Sequence, residues 1–271
     1  MKKKLIRSVL YMPSLDINLC NKGGQLGSDV IVLDLEDSVP QNKKGMARDI
    51  CYDFFKKKHS VMTAIRINSL HSLDGINDIQ CITNLDIMPE IIIMTKVDHA
   101  EEIALLRDIL KSCKKETMLF ITIETPDSLF NIESIASQSD GFIFGSADYA
   151  ASLGVEITWE NMLQARFQIV NACAKYDLYA IDTGCYSINS IELLEEECER
   201  TKSLGFCGKA AIHPSQISII NDTYTHTKEQ LLKAHAIIDA YEKSNGTITK
   251  LNGDMIGPPF VALAKKIIAK Y

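Results

Sequence analysis

The chain has 271 residues, 46% of them hydrophobic, with a formal net charge of −6. That length supports one large core, so a single α/β barrel domain is expected. The acidic balance argues against a sequence-independent nucleic-acid binder, which needs a basic stripe to neutralise phosphates. No membrane span or targeting segment is legible, because Arg7 and Ser8 interrupt the apolar run after Lys2-Lys3-Lys4. The eight cysteines show no CxxC pair or metal-ligand spacing, and they read as reduced thiols of a cytoplasmic protein.

From the N-terminus, Leu5 to Met12 reads as a strand ending at Pro13-Ser14, followed by a helical period from Leu15 to Leu26. Asp29 to Leu35 is an unbroken apolar run of the buried-strand type, opening into Glu36-Asp37-Ser38 and a helix near 43–57. Val61 to Asn68 is a third strand, with Arg66 and Asn68 on one face, and the Asp74-Gly75 pair behind it signals a loop. Ile91 to Val97 is a fourth, and Asp98 is the expected N-cap of a helix over 101–111. Leu119 to Glu124 and Gly141 to Gly145 are the fifth and sixth. A helix over 159–175 leads to a seventh at 178–182, and a helix over 191–204 stopped by Gly205 leads to an eighth at 209–212. Helices over 228–243 and 260–271 follow, with an Asn245-Gly246 turn and a polar hairpin-like stretch between them.

Eight strands alternating with helices predict a (β/α)₈ barrel over about residues 1–225, with a C-terminal helical extension over 226–271. A dinucleotide fold is disfavoured, since no GxGxxG follows the first strand.

In such a barrel the strand carboxyl ends share one face, which gathers Glu36, Asp37, Arg66, Asn68, Lys96, Glu124, Asp148, Asp182 and His213. Glu124 and Asp148 follow consecutive strands amid small residues. Two acids so placed repel unless a cation lies between them, and they suit a hard divalent ion that keeps several waters; Mg²⁺ is the expected cofactor. The competing reading makes each a helix N-cap. Arg66 offers a planar fork to a substrate carboxylate or a developing oxyanion, and otherwise only neutralises rim acids. Lys96 pairs with Glu36, Asp37 or Asp34, or else forms a Schiff base as in a class I aldolase. His213 is equally a structural residue or a base. Asp34 is internal to its strand, facing the barrel interior.

These stretches resemble the HpcH/HpaI aldolase and citrate lyase superfamily, in particular its citrate lyase beta-subunit-like branch. The resemblance rests on Arg7-Ser8-Val9-Leu10-Tyr11-Met12-Pro13, Leu33-Asp34-Leu35-Glu36-Asp37-Ser38-Val39, Arg66-Ile67-Asn68, Ile123-Glu124-Thr125, Phe144-Gly145-Ser146-Ala147-Asp148-Tyr149 and Gly208-Lys209 through His213-Pro214. It implies a Mg²⁺-dependent carbon–carbon lyase on a TIM barrel. The implied substrate is a citryl-, citramalyl- or malyl-type thioester on coenzyme A or an acyl carrier protein, split into a 2-keto acid and an acyl thioester. Arg66, Glu124 and Asp148 would carry the chemistry, with Glu124 and Asp148 on the metal and Asn68, Lys96, Glu36 and Asp37 joining Arg66 and Glu124 around the substrate. The family's trimers or hexamers imply a homo-oligomer. One motif departs: a D-G-K-M-[IV]-D tail whose last aspartate serves a neighbouring subunit is here Asn252-Gly253-Asp254-Met255-Ile256-Gly257. Gly257 supplies no acid, which keeps open a non-catalytic subunit, and a free-acid class II pyruvate aldolase of the same superfamily is the other alternative.

Overall fold

The eight apolar runs become eight parallel strands in the computed structural model, which describes residues 4–269. They are β1 (Ser8–Pro13), β2 (Val30–Asp34), β3 (Met62–Arg66), β4 (Ile91–Met94), β5 (Met118–Ile123), β6 (Gly141–Phe144), β7 (Tyr179–Asp182) and β8 (Gly208–Ala211). Each pairs with the next, and Ser8 opposite Lys209 closes the ring between β1 and β8. The result is the expected (β/α)₈ barrel. Both faces of every strand are covered, which is why the runs read as continuous rather than alternating.

Alternation still decides where each side chain goes. Val9, Val30, Val32, Ala64, Ile93, Phe120 and Ile143 fill the barrel interior. Leu10, Ile31, Leu33, Ile65, Ile92, Phe142 and Ala180 face outward into the layer of helices. Counting on by twos, Asp34, Arg66, Thr122 and Glu124 fall on the inward parity. Asp182 has the outward parity, which removes it from the rim set.

Under the helices Asp182 is fully buried, accepting from Arg166 Nε at 2.9 Å and from Lys209 Nζ at 2.7 Å. Burial alone would raise its pKa, but Lys209 and Arg166 hold it below the usual carboxylate range. Asp182→Ala strands two buried cations, Lys209 keeping only Glu197 at 2.9 Å. It is expected to cost about 3–5 kcal/mol in urea unfolding; a loss under about 1 kcal/mol would contradict this account of the network.

Two local expectations fail for physical reasons. The segment with Asp74-Gly75 is a helix, Leu73–Thr83, capped by the Ser72 side chain accepting from the Gly75 N–H. Its buried face carries Gly75, Asp78 and Ile82, and the Asp74-Gly75 pair that signals a turn lies inside its first turn. At the next helix, Ala100–Ser112, the N-cap is His99 rather than Asp98, whose carboxylate accepts the Thr125 hydroxyl instead. The helix Ile191–Leu204 keeps its expected bounds, closed by Gly205 at φ 115°.

By its contacts the chain divides into Ile6–Tyr224, which holds the barrel, and a unit of Thr225–Tyr271 with Met1–Leu5. The second unit contains the helix Lys228–Lys243, an antiparallel strand pair Thr249–Leu251 and Asp254–Ile256, and the helix Pro258–Ala269. The pair turns on Asn252-Gly253, both with positive φ. The Gly257 carbonyl accepts from Phe260 and Val261 at the start of the last helix. Among the described residues no helix is long and apolar enough to cross a membrane.

Candidate functional site

Residues at the strand carboxyl ends line a cavity of about 460 Å³. Tyr11, Asp34, Arg66, Thr122, Glu124 and Asp148 all reach its wall.

Asp34 is the hub of one side. Register places it opposite Arg66 across β2 and β3. Arg66 Nε donates to Oδ1 at 2.7 Å and Nη2 to Oδ2 at 2.6 Å, the paired geometry that fixes a guanidinium plane. The same carboxylate accepts the Glu36 N–H at 2.9 Å and the Ser38 N–H at 3.1 Å, so it also shapes the turn after β2. Burial pushes Asp34 up, yet Arg66 holds it below the usual range. Arg66 Nη1 lies 3.0 Å from Glu36 Oε2 and 3.6 Å from Asp37, with the guanidinium 5.0 Å from the Tyr11 ring centroid. Burial opposes its charge, but Asp34 keeps Arg66 protonated at any working pH.

Lys96 braces the opposite acids. It has φ 53°, its N–H donates to Glu124 Oε1 at 2.6 Å, and its Nζ donates to Glu36 Oε1 at 2.8 Å. Burial works against its charge, and the Glu36 pair outweighs that and raises its pKa. A permanently protonated, ion-paired ammonium is a poor Schiff-base nucleophile, so the structure favours the rim-pairing alternative. Glu36 is buried and Lys96 is exposed, and neither is among the residues that line the cavity.

Glu124 is 2% exposed. Burial, then the nearby Glu36 charge, push its pKa up to about 8 against the Lys96 N–H, with Asp148 adding to the rise. Asp148 sits in the first turn of the helix Ser146–Leu153. Between them Gly145 leaves room: a Cβ there would lie 2.5 Å from Glu124 Cβ and 2.9 Å from its Oε2. Among the described residues no three His, Cys, Asp or Glu gather to enclose a metal. Two carboxylates facing an open cavity instead fit an ion that keeps waters and takes substrate oxygens, as Mg²⁺ does.

Two expected site residues are placed elsewhere. Asn68 is buried away from the cavity wall. Its Oδ1 accepts from Lys44 Nζ at 2.7 Å, and its Nδ2 donates to Leu35 O at 2.8 Å and Asp78 Oδ2 at 2.7 Å. With its amide so committed, Asn68 secures the loop bearing Glu36. His213 is exposed and caps the turn Pro214–Gln216, accepting the Ser215 N–H at 3.3 Å. That geometry supports its structural alternative.

Thr183 and Tyr186 bring further hydroxyls to the cavity wall, and Ser146 adjoins Thr183. Ser146 donates to Thr183 at 2.9 Å, and the Tyr186 hydroxyl lies 3.1 Å from Thr183, tying the loop after β7 to the helix that carries Asp148. Tyr11 and Thr122 share the inward parity of Val9 and Phe120, a signal present in the sequence.

The sequence model of the HpcH/HpaI aldolase/citrate lyase family matches residues 7–214. Citrate lyase subunit beta of Escherichia coli K12 is 27% identical over 286 residues, covering 99% of this chain and 94% of that protein. The mitochondrial citramalyl-CoA lyase of Rattus norvegicus is 29% identical over 289 residues, covering 97% of this chain and 85% of its own length. Among solved structures, CitE from Mycobacterium tuberculosis, in complex with magnesium, acetoacetate and coenzyme A, superposes with a TM-score of 0.83 at 22% identity over 98% of both chains, which shows the shared fold.

Proposed function

The chain belongs to the HpcH/HpaI aldolase/citrate lyase family, and from that premise we propose that it is a Mg²⁺-dependent carbon–carbon lyase. Its substrate is a 3-hydroxy-3-carboxyl acyl thioester of the citryl, citramalyl or malyl type, carried on coenzyme A or an acyl carrier protein. The observation that carries this reading is the single cavity in which Glu124 and Asp148 face Arg66. The names of the E. coli and rat relatives, and the ligands of the mycobacterial protein, support it.

In this reading Glu124 and Asp148 hold the cation. When bound, Mg²⁺ supplies Lewis-acid polarisation of the oxygens of the 2-keto acid half. Arg66 spends two of its five N–H donors on Asp34, with Nη1 in an ion pair 3.0 Å from Glu36, and the donors not given to Asp34 are open to a substrate oxygen. Held flat by Asp34, those donors are aimed before substrate arrives, and a preorganised donor stabilises charge that develops as the bond breaks. The electron flow is that of a retro-Claisen cleavage. The substrate hydroxyl gives up its proton, its oxygen becomes the keto group, the adjacent carbon–carbon bond breaks, and the electron pair passes to the thioester α-carbon, which takes a proton. Asp37, exposed beside Arg66, lies at the cavity wall among the substrate-facing groups. Glu36 pairs with Arg66 and with Lys96, whose N–H holds Glu124.

The reading includes a cytoplasmic location, supported by eight free cysteines, and a homotrimer or hexamer, which light scattering on a sizing column tests. Activity is tested with a panel of citryl-, citramalyl- and malyl-thioesters and the matching free acids, with Mg²⁺ and with EDTA. Keto-acid release from a thioester alone, abolished by EDTA, is the expected result. Release from free hydroxy acids would assign a free-acid pyruvate aldolase, and silence on every compound, carrier-protein forms included, would assign a non-catalytic subunit.

A further inference from the structure

Thr122 is 5% exposed, and its hydroxyl is a buried polar atom with no hydrogen-bond partner. Buried hydroxyls are nearly always satisfied, so an orphan on a cavity wall calls for a ligand group. Three other hydroxyls at this wall are partnered: Ser38 donates to Asp34, and Thr183 and Tyr186 pair with each other. The Thr122 rotamer is constrained as well, because its methyl packs where Gly145 lacks a side chain; a Cβ there would sit 2.9 Å from Cγ2.

Depth decides which part of a substrate Thr122 meets. It lies on β5 two residues before Glu124, on the same inward face, and therefore roughly 6–7 Å deeper along the strand. A coenzyme or carrier protein has to remain toward the mouth. Only the small half of the substrate reaches this depth. Charge decides the chemistry: Asp34, Glu124 and Asp148 already crowd the wall with carboxylates, and a neutral O–H donor meets an acceptor oxygen without adding to them.

We propose that the Thr122 hydroxyl donates a hydrogen bond to an oxygen of the 2-keto acid half, making Thr122 a substrate-contacting specificity residue. The proposal rests on the lyase reading above. The test titrates pyruvate, glyoxylate and oxaloacetate into the Mg²⁺-loaded protein by calorimetry, using wild type, Thr122→Val and Thr122→Ser. Valine keeps the shape and removes the hydroxyl, whereas serine keeps the hydroxyl. The expected result is about five- to tenfold weaker binding of the preferred keto acid to Thr122→Val, the size of one lost neutral hydrogen bond. Thr122→Ser should stay within about twofold of wild type. Wild-type affinity in Thr122→Val, or equal losses in both variants, would overturn the proposal, the first by making the hydroxyl a water site and the second by making packing the cause. Should wild type bind none of the three acids, the lyase reading itself falls and takes this proposal with it.

Discussion

Glu124→Gln is expected to lower Mg²⁺-dependent thioester cleavage by at least about 10³-fold while making the metal-free protein melt higher at alkaline pH. The first effect follows from its position: the amide keeps the shape and the Lys96 N–H contact but offers a cation no charge. Asp148→Asn should match it in activity, because among the described residues no third His, Cys, Asp or Glu gathers with them to hold a metal. The second effect is a matter of linkage. An exposed glutamate in the unfolded chain titrates near about 4.3, whereas Glu124 in the fold titrates at about 8, chiefly through burial. Between those values the native state holds the extra proton, so stability falls as pH rises through that window and the loss is complete above it. Glutamine has no such proton to lose. Its advantage should be absent below the lower value, grow across the window and level off above about 8, where scanning calorimetry is expected to show a gain of a few degrees. The same proton must leave for a cation to bind, so Mg²⁺ uptake at pH 7 should release about one proton, visible as a buffer-dependent binding enthalpy. Unchanged turnover in either variant would sink the ligand assignment. A pH-independent stability difference would contradict the environment of Glu124.

The strands were the legible part of this chain because a barrel strand is buried on both faces and its run of Val, Ile and Leu needs no partner to be recognised. Helices were legible where no turn signal interrupts them, as in Ile191–Leu204, and illegible in Leu73–Thr83, whose first turn contains Asp74-Gly75 and whose inward face spends a position on Asp78 to hold Asn68. For the site, position at a strand end is readable from sequence, but direction is a matter of parity. Asp34 and Asp182 show the difference. The first follows Val30 and Val32 inward and becomes the clamp of Arg66; the second follows Ala180 outward and becomes the centre of a buried ion network. Both directions were implicit in the alternation. Contacts made by backbone were not: nothing in the side chain of Lys96 announces that its N–H, at positive φ, would hold Glu124. Nor does sequence reveal that Thr122 lacks a partner, since an orphaned hydroxyl is defined by everything around it.

Arg66→Lys keeps the charge and is nevertheless expected to reduce turnover by about 10²-fold. In the native site one planar group does three things: it meets both oxygens of Asp34, approaches Glu36 within 3.0 Å, and lies over the Tyr11 ring. A lysine ammonium is a point donor that cannot span the two oxygens of Asp34 while reaching Glu36 and a substrate oxygen. It would settle on Asp34 or Glu36, and the aimed donors would be lost. Because the charge remains, neither acid is left without a cation, so melting should change far less than on Arg66→Ala, which strands Asp34 in the wall. Asp34→Asn provides the complementary measurement. It leaves the guanidinium in place but loosens its plane, and a smaller loss, about tenfold in kcat with little change in Mg²⁺ affinity, is expected if Asp34 acts only by positioning Arg66. A wild-type rate in Arg66→Lys would reduce Arg66 to a neutraliser of rim acids. A loss in Asp34→Asn as deep as in Arg66→Lys would instead give Asp34 a direct part in proton transfer, which its depressed pKa argues against.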